Sequence, residues 1–447
     1  MKKFLTVISV VLIASTIAVS FSGCKGYNAK KKEGNLEKRT SLNVKDDGSF
    51  RILQITDTHL ISNGKNKRDR ETLRWIKESI EISKPDLVVM SGDITGNGTK
   101  DRDKGMLAVA NLMEEEKIYW TYLFGNHDGE HGKDENGKEC WLGKEGTRTE
   151  VSSVCKNANY DKSKGELFFG DNTRGNKQLF DLLGGYEYCL IRQDALEKDH
   201  SKEMGIGNYV VDLKNNKGET VFAIVSMDSH AKMYFEPKGN TEGIEGCKDM
   251  GYLGLTDMQI EWYKNTIKPY AQKNIKTMLF IHVPNYGFRE IVETADGVND
   301  FGIPQFKELP DVQNATKNMR FKDTVFTKKE GIYGPCWDEG LLNVMDEYKS
   351  TNIISVGHDH NNCFFLKTNI GDKFADETEK DNDIILCYGR CSGVNAWGRR
   401  VKIGATVYDI DTNAKDVDSM YNIREIYPSF DYVTKYKPAE IDSSNDK

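Results

Sequence analysis

The sequence predicts an α/β protein with a partly parallel sheet, and three observations lead to this class. Apolar runs of strand length alternate with amphipathic helical segments between residues 50 and 124, in the order strand, helix, strand, helix, strand. Several of these runs end in Asp or His, as expected when a binding site lies beyond the carboxyl ends of parallel strands. Contents of 38% hydrophobic and 29% charged residues in a chain of 447 are typical of a globular protein with its own core.

The chain has a formal net charge of −7. An excess of basic residues would favour a nucleic-acid partner. This chain has an acidic excess instead, so no nucleic-acid binding is expected. The acidity is mild, and it leaves room for a locally positive pocket that binds phosphate.

The first 23 residues are predicted to be an export signal. Lys2 and Lys3 precede an uncharged run from Phe4 to Gly23. A single membrane-spanning anchor is the alternative, because this run is about long enough to cross a bilayer. The stretch Phe21-Ser22-Gly23-Cys24 resembles the bacterial lipoprotein processing box, in which the cysteine is lipidated and becomes the mature N-terminus. This resemblance implies an exported cell-envelope lipoprotein anchored to the membrane at Cys24.

Polar composition sets the expected limits of the folded domain. Residues 24–47 are Lys-rich and predicted to be a flexible tether, residues 48–430 form the domain, and residues 431–447 form a polar tail. Eight cysteines follow Cys24, an even number that permits disulfides in an exported protein. Their spacings match no zinc-binding pair.

The first predicted strand begins at Phe50 and runs into Asp57-Thr58-His59. Positions two apart in an extended segment face the same side, so Asp57 and His59 can bind one ion together. The triplet alone is weak evidence, because most Asp-x-His sequences are surface turns. A helix is predicted from Arg70 to Ser83, where apolar residues recur at helical spacing.

The second and third predicted strands also end in polar residues. Pro85–Asp93 ends in Gly-Asp, where the glycine permits close backbone approach and the carboxylate of Asp93 could bridge two ions. A second helix is predicted over Met106–Met113. The third strand, Ile118–Phe124, leads into Gly125-Asn126-His127-Asp128.

Residues 129–204 are rich in Gly, Lys, Asp and Asn with weak periodicity, and are predicted to be an irregular insertion that partly covers the site. Strands are predicted to resume at residues 207–212 and 221–229 and to pair antiparallel across a short polar turn. Thr256-Asp257-Met258-Gln259 is a capping-box pattern that predicts the start of a helix.

The last part of the chain supplies three more histidines at strand ends. A strand from Thr277 ends at His282, and a strand from Asn352 ends in Gly357-His358-Asp359-His360. Residues 285–335 between them are predicted to be a second irregular insertion, forming another wall of the site. The remaining predicted elements are a short helix and two closing strands: residues 341–348, 383–388 and 401–410.

Five of the eight histidines fall in these strand-end motifs. The joint order, Asp-x-His, Gly-Asp, Gly-Asn-His-Asp, a strand-final His and Gly-His-Asp-His, resembles the calcineurin-like metallophosphoesterases. The branch related to purple acid phosphatases is the most similar, and Gly251–Gly254, Gln259–Trp262 and Leu386–Arg390 also look like it. The resemblance spans roughly residues 48–412, and implies a four-layer α/β/β/α sandwich with two central mixed β-sheets.

The resemblance also implies a two-metal centre that hydrolyses phosphate esters by attack of a hydroxide shared between the metals. Carboxylates and imidazoles without a thiolate suit iron, manganese or zinc. The implied ligands are Asp57, His59 and His360 for the first metal, Asn126, His282 and His358 for the second, and Asp93 as the bridge.

The resemblance leaves His127 free of the metals and facing the substrate, where it could protonate the leaving alkoxide or stabilise phosphoryl charge. Asp128 is expected to orient that imidazole, with a structural salt bridge as the alternative. Two positions depart from the family pattern. Gly96 replaces the tyrosine that gives purple acid phosphatases their colour, so a purple iron(III) site is not expected, and Asn285 stands where the branch often has an acidic residue.

The expected function is therefore that of an exported, monomeric, metal-dependent phosphoesterase acting on small-molecule phosphate esters, most simply phosphomonoesters. A phosphodiesterase or a nucleotide-type pyrophosphohydrolase on the same site is one alternative. The other is a lipoprotein that binds a phosphorylated ligand without turnover. His127 argues against that last alternative, because binding alone needs no proton donor.

Overall fold

The computed structural model describes residues 39–96, 101–134, 136–142, 148–170, 172–194, 202–238, 248–308, 320–370, 383–397 and 401–429. The predicted export signal, most of the predicted tether and the predicted polar tail lie outside these ranges. Among the described residues, no helix is both long enough and apolar enough to cross a membrane.

Two large mixed sheets carry the fold. In the eight-stranded sheet, four central strands are parallel and antiparallel neighbours flank them on both sides. Its strands, in order across the sheet, are Ser41–Asn43 (β1), Tyr209–Lys214 (β9), Thr220–Ser226 (β10), Lys276–Phe280 (β13), Thr351–Val356 (β17), Asp383–Tyr388 (β19), Asn362–Asn369 (β18) and Arg320–Lys328 (β16).

The second sheet has five strands, four of which run in one direction, while the fifth is antiparallel to both of its neighbours. In order across the sheet they are Tyr421–Ile426 (β21), Ala405–Asp411 (β20), Ser49–Ile55 (β2), Leu87–Ser91 (β3) and Trp120–Leu123 (β4). A short helix, Val417–Met420 (α8), precedes β21.

Helices cover the outer faces of both sheets. Trp75 and Ile76 pack on the five-stranded sheet, whereas Tyr263 and Leu341 pack on the outer face of the eight-stranded sheet. The helices on the first side are Lys67–Ser83 (α1), Arg102–Glu116 (α2) and Thr173–Leu183 (α4); those on the other side are Asp257–Gln272 (α5), Tyr286–Val292 (α6) and Leu341–Tyr348 (α7). The mixed α/β class predicted from the sequence is confirmed, and helix α5 begins with the predicted capping box at Thr256.

A buried polar network joins the two sheets where β2 faces β17. The Gln54 amide donates to Ser91 Oγ at 2.8 Å, and its carbonyl oxygen accepts from Tyr408 at 2.7 Å and from Ser355 at 2.9 Å. Because a buried amide is costly unless it is fully hydrogen-bonded, this network holds the sheets in one register. It therefore fixes the carboxyl ends of β2 and β17 beside each other.

Both predicted insertions contain regular structure, so the prediction of irregular segments was wrong there. Most of their strands are short, and some of them pair with segments distant in sequence, so little local period is visible. Four strands build a separate small sheet: Lys248–Tyr252 (β12), Lys232–Pro237 (β11), Gly165–Phe169 (β8) and Thr149–Glu150 (β7). The other short elements are His131–Lys133 (β5), Glu139–Trp141 (β6), Val151–Val154 (α3), Glu293–Val298 (β14) and Pro304–Glu308 (β15).

The predicted tether extends too far into the domain. Ser41–Asn43 forms β1, which pairs in parallel with β9 and buries Leu42 in the core. Three residues carry too little periodicity to identify such a strand from sequence. Among the described residues, Cys155, Cys336, Cys363 and Cys387 are free thiols.

Candidate metal centre

Every predicted ligand lies in a loop that follows the carboxyl end of a parallel strand. The loops come from β2, β3 and β4 of one sheet and from β13 and β17 of the other. Four ligands have a positive backbone φ, which is strained for residues other than glycine and persists mostly at functional sites. They are Asp57 (54°), His59 (45°), Asp93 (49°) and His358 (79°).

The first ligand group consists of Asp57, His59 and His360, whose donor atoms all lie within 4.8 Å of one another. The two histidine Nε2 atoms are 2.9 Å apart. Asp57 Oδ1 is 3.8 Å from Nε2 of His59 and 3.5 Å from Nε2 of His360. Three donors thus converge on one point, as a shared cation requires.

The second group consists of Asp93, His282 and His358, again with donor atoms within 4.8 Å of one another. Asp93 Oδ2 is 3.3 Å from Nε2 of His282 and also 3.8 Å from Nε2 of His59 in the first group. This carboxylate therefore stands between the groups. Asn126 lies on the adjoining loop, where the backbone N–H of His127 donates to Asp93 Oδ1 at 2.8 Å.

The donor atoms fit two cations because the protein itself leaves them without partners. Buried polar atoms are hydrogen-bonded in most proteins, so a cluster of buried atoms without partners calls for a ligand. An O/N donor set without thiolate matches iron, manganese or zinc. The buried atoms without a hydrogen-bond partner include Asp57 Oδ1, Asn126 Oδ1, His282 Nε2 and His358 Nδ1.

The electrostatics favour the ligating protonation states of the two carboxylates and of His358. For His282, burial lowers the pKa but the charge of Asp93 outweighs it and raises the pKa to about 10, so a cation would replace that proton. Burial by itself raises the pKa of Asp57, yet the neighbouring imidazoles of His360 and His59 hold it well below its usual value. Burial also opposes ionisation of Asp93, but the charges of His282 and His127 lower its pKa strongly. For His358, burial holds the pKa well below its usual value and so keeps the imidazole neutral. Ionised carboxylates and neutral imidazoles are the forms that bind metals.

Backbone carbonyls orient two of the imidazoles. His282 Nδ1 lies 2.8 Å from the carbonyl oxygen of Ser91, and His360 Nδ1 lies 2.6 Å from that of Trp397. A ring nitrogen that donates to a carbonyl leaves the other nitrogen as a lone-pair donor. Nε2 of each ring is thereby directed at the ligand groups.

Glycine is required where the loops approach these ligands. A Cβ on Gly92, whose φ is +95°, would lie 2.4 Å from His282 Nδ1. A Cβ on Gly125 would lie 2.2 Å from Asp93 Oδ1. Any side chain at either position would displace a ligand.

The orientation of His127 by Asp128 was a wrong prediction. His127 Nδ1 pairs with Glu130 Oε2 at 2.8 Å, three residues further along the chain. Burial lowers the pKa of His127, but the charges of Glu130 and Asp93 outweigh it and raise the pKa to about 9. Adjacent side chains in this turn point apart, so the neighbour in sequence is not the partner in space.

Asp128 instead ties the metal-binding loops together. Its carboxylate accepts from the backbone N–H groups of Asp93 and Gly125, both at 2.8 Å, and from that of Thr95 at 3.0 Å. The Thr95 hydroxyl donates as well, at 3.2 Å. A salt bridge, the alternative considered for this residue, is not what the described contacts show.

Replacing Asp128 by Ala is expected to lower the free energy of unfolding by about 3 kcal/mol or more, because it strands three buried N–H donors. Denaturant unfolding of the purified protein measures this loss. Asp134→Ala is the matched control, because Asp134 accepts from two backbone N–H groups in an exposed turn. Equal destabilisation by the two substitutions would contradict the role given to Asp128.

Gly96 has no room for the tyrosine found in purple acid phosphatases. A Cβ there would lie 2.8 Å from His59 Cβ and 3.0 Å from His59 Nδ1. We expect Gly96→Ala to weaken metal retention at the first group by about tenfold, since shifting a ligand ring costs 10–100-fold in affinity. Chelator competition measures this, with Gly184→Ala as the control because its nearest atoms are 3.6 Å away. Unchanged metal retention in Gly96→Ala would show that the loop can shift to accept the added methyl group without moving His59.

Two further residues at the centre were not assigned a role from sequence. The Tyr252 ring packs edge-on against His358, with ring centroids 4.3 Å apart. Glu130 supports His127, as described above. Tyr252 belongs to a stretch that resembles the family, but no linear signal points to its contact with a ligand.

Asn285, at the other position that departs from the family, is buried just before α6, and its Oδ1 has no hydrogen-bond partner.

The fold and the ligand groups define a mixed α/β protein with a two-metal site. The family model of the calcineurin-like phosphoesterases matches residues 50–362, and the chain belongs to this family.

Several known proteins are similar to this chain. "Probable inactive purple acid phosphatase 28" of Arabidopsis thaliana is 24% identical over 377 residues, covering 80% of this chain and 74% of that protein. "Phosphatase DCR2" of Saccharomyces cerevisiae is 23% identical over 401 residues, covering 84% of this chain and 54% of that protein. A solved dimetal phosphatase from Danio rerio has a TM-score of 0.39 and 11% identity, covering 85% of this chain and 98% of that one.

Proposed function

We propose that this protein is a phosphoesterase that hydrolyses small phosphate monoesters at a dinuclear metal centre. The observation that carries the proposal is the arrangement of His127 relative to the ligands. Its ring lies beside that of His59, with centroids 5.6 Å apart, and it belongs to neither ligand group. A histidine held next to a two-metal site but outside it is suited to proton transfer rather than to coordination.

The metals, when bound, would supply an activated water and a positive clamp on the phosphoryl oxygens. The chain's own residues would orient the proton donor, supply the proton and hold the loop in position. Glu130 occupies Nδ1 of His127, which leaves Nε2 to face the substrate. The negative charge of Glu130 favours the protonated imidazole, so His127 can give its proton to the departing alkoxide. Asp128 keeps the loop that carries Asn126 and His127 in place.

The names of the relatives divide between "phosphatase" and "probable inactive" proteins, so membership of the family does not decide activity. In this chain, both ligand groups and the His127–Glu130 pair are in place. This supports turnover over the alternative of a protein that binds a phosphorylated ligand without hydrolysing it.

A substrate panel tests the proposal. The purified protein is loaded with manganese, zinc or iron(II) and assayed on aryl and alkyl phosphate monoesters, on diesters and on inorganic pyrophosphate. We expect hydrolysis of the monoesters, abolished by removal of the metals with a chelator. Hydrolysis confined to diesters or pyrophosphate would favour the alternative substrate classes. Failure to hydrolyse any of these esters with every metal would overturn the proposal.

We further propose that the protein is exported and anchored to the membrane by lipid on Cys24, as the processing box at residues 21–24 suggests. In a bacterial host, the full-length chain should label with palmitate and sediment with membranes. Cys24→Ala should not label, because it removes the acceptor thiol. If the wild type takes up no palmitate yet sediments with membranes, the N-terminal run is a spanning anchor instead.

A further inference from the structure

The ribbon of β11 and β12 places a lysine and a tyrosine side by side. Lys232 lies directly opposite Tyr252 in this antiparallel pair. Residues directly opposite each other in such a pair share one face of the ribbon, with Cβ atoms about 5 Å apart. Met233 and Phe235 belong to a separate hydrophobic cluster on the other face. The lysine and the tyrosine therefore form a common surface, which we call the β11–β12 wall.

Tyr252 brings this wall to the metal centre. Its ring contacts His358 of the second ligand group, as described above. Burial raises its pKa well above the usual value, and the charges of Asp249 and Asp93 raise it further. The phenol therefore keeps its proton at neutral pH and is a hydrogen-bond donor beside the second ligand group.

Lys232 adds a positive charge at the same place. Its side chain is 32% exposed, and its Nζ is held 2.7 Å from Asp249 Oδ2. Because Lys232 is opposite Tyr252 in the ribbon, its side chain lies on the same face as the ring that contacts His358. The ammonium group is therefore on the side of the wall that carries the contact with the second ligand group.

We propose that Lys232 and Tyr252 bind the phosphoryl oxygens that the metals do not, and that they select dianionic phosphate monoesters over monoanionic diesters. This inference rests on the proposed function and extends it to substrate choice. A monoester presents one more charged oxygen than a diester, and an ammonium group binds a charged oxygen more strongly than a neutral one. A diester carries a second substituent at one of those positions, so Lys232 would lose its partner.

The main test is Lys232→Gln, which removes the charge from a partly exposed position and leaves the fold intact. Lys232→Arg is the conservative variant that keeps the charge. Lys45→Gln is the matched control, because Lys45 also pairs with an aspartate, Asp86, at 3.0 Å. Asp86 lies just before β3, at the end of the strand opposite to the metal centre. Lys232→Gln combined with Asp249→Asn shows whether an effect comes merely from leaving Asp249 without its partner.

Two measurements are made on metal-loaded protein: kcat/KM for a matched aryl monoester and diester, and the Kd for inorganic phosphate by calorimetry. Loss of one charged hydrogen bond should weaken phosphate binding about tenfold or more. We expect Lys232→Gln to show this loss and to lower the monoester-to-diester ratio by a similar factor. Tyr252→Phe should weaken phosphate binding by a smaller factor, and metal content should stay unchanged in both.

The double variant should behave like Lys232→Gln, while Lys232→Arg and Lys45→Gln should stay near wild type. Unchanged phosphate affinity and substrate ratio in Lys232→Gln would overturn the inference, as would full recovery in the double variant. If the wild type hydrolyses nothing yet binds phosphate through Lys232, the proposed function fails while the phosphate site stands. If metal-loaded wild type does not bind phosphate, the inference fails regardless of turnover.

Discussion

Replacing Asp93 by Asn is expected to reduce kcat on phosphate monoesters by about a thousandfold or more. The Asp93 carboxylate lies 3.3 Å from His282 Nε2 in one ligand group and 3.8 Å from His59 Nε2 in the other, and the amide keeps its shape but loses the charge that two cations would share. The pair of metals stabilises the transition state by several kcal/mol, and about 4 kcal/mol corresponds to a thousandfold in rate. We expect the bound metal to fall from two equivalents to one or fewer.

Steady-state assays and elemental analysis of the same samples test this prediction. Asp181→Asn is the control, because Asp181 is a surface carboxylate paired with Lys177 on α4. It should leave both activity and metal content unchanged. Asp93→Asn with two bound metals and activity within tenfold of wild type would show that Asp93 does not bridge the centre.

His127→Ala is expected to lower kcat by about a hundredfold to ten-thousandfold on alkyl phosphates, the range attributed to general acid–base catalysis. The loss should be much smaller with 4-nitrophenyl phosphate, because nitrophenolate leaves without a proton. Metal content should stay at two equivalents, since His127 belongs to neither ligand group. Glu130→Gln should give a smaller loss with the same dependence on the leaving group.

The comparison between the two substrates is the decisive part of this experiment. Equal losses on both would mean that His127 stabilises phosphoryl charge instead of protonating the leaving group. Loss of metal in His127→Ala would contradict its placement outside the ligand groups altogether.

The ligands could be found from sequence because each follows an apolar strand in a short motif. Parallel strands bring their carboxyl ends together, so a linear pattern such as Asp57-x-His59 already implies a shared site. Contacts that arise from packing between distant segments have no such signal. Tyr252 reaches His358 only because the small sheet folds over the centre. Glu130 was missed because the conformation of the turn after β4 is not visible in the sequence. In that turn the Asp128 carboxylate accepts from backbone N–H groups, and His127 pairs with Glu130 instead.

The same limit applies to the fold. The parallel strands were predicted because burial on both faces makes each a continuous apolar run, and the helices because one buried face gives them a clear period. Strand β1 has three residues, and β8 finds its partner β11 more than sixty residues later, so neither leaves a readable pattern. Strand β18 begins at Asn362, two residues after His360, and no clear turn sequence separates it from the motif.

The most direct test of the two-metal phosphoesterase is a titration of metal-free protein with manganese or zinc, followed by monoester hydrolysis. Occupancy of both ligand groups should be required, so activity should rise with the second equivalent and level off at two. Activity that saturates at one equivalent, or hydrolysis that is absent at two, would contradict a dinuclear centre built around Asp93.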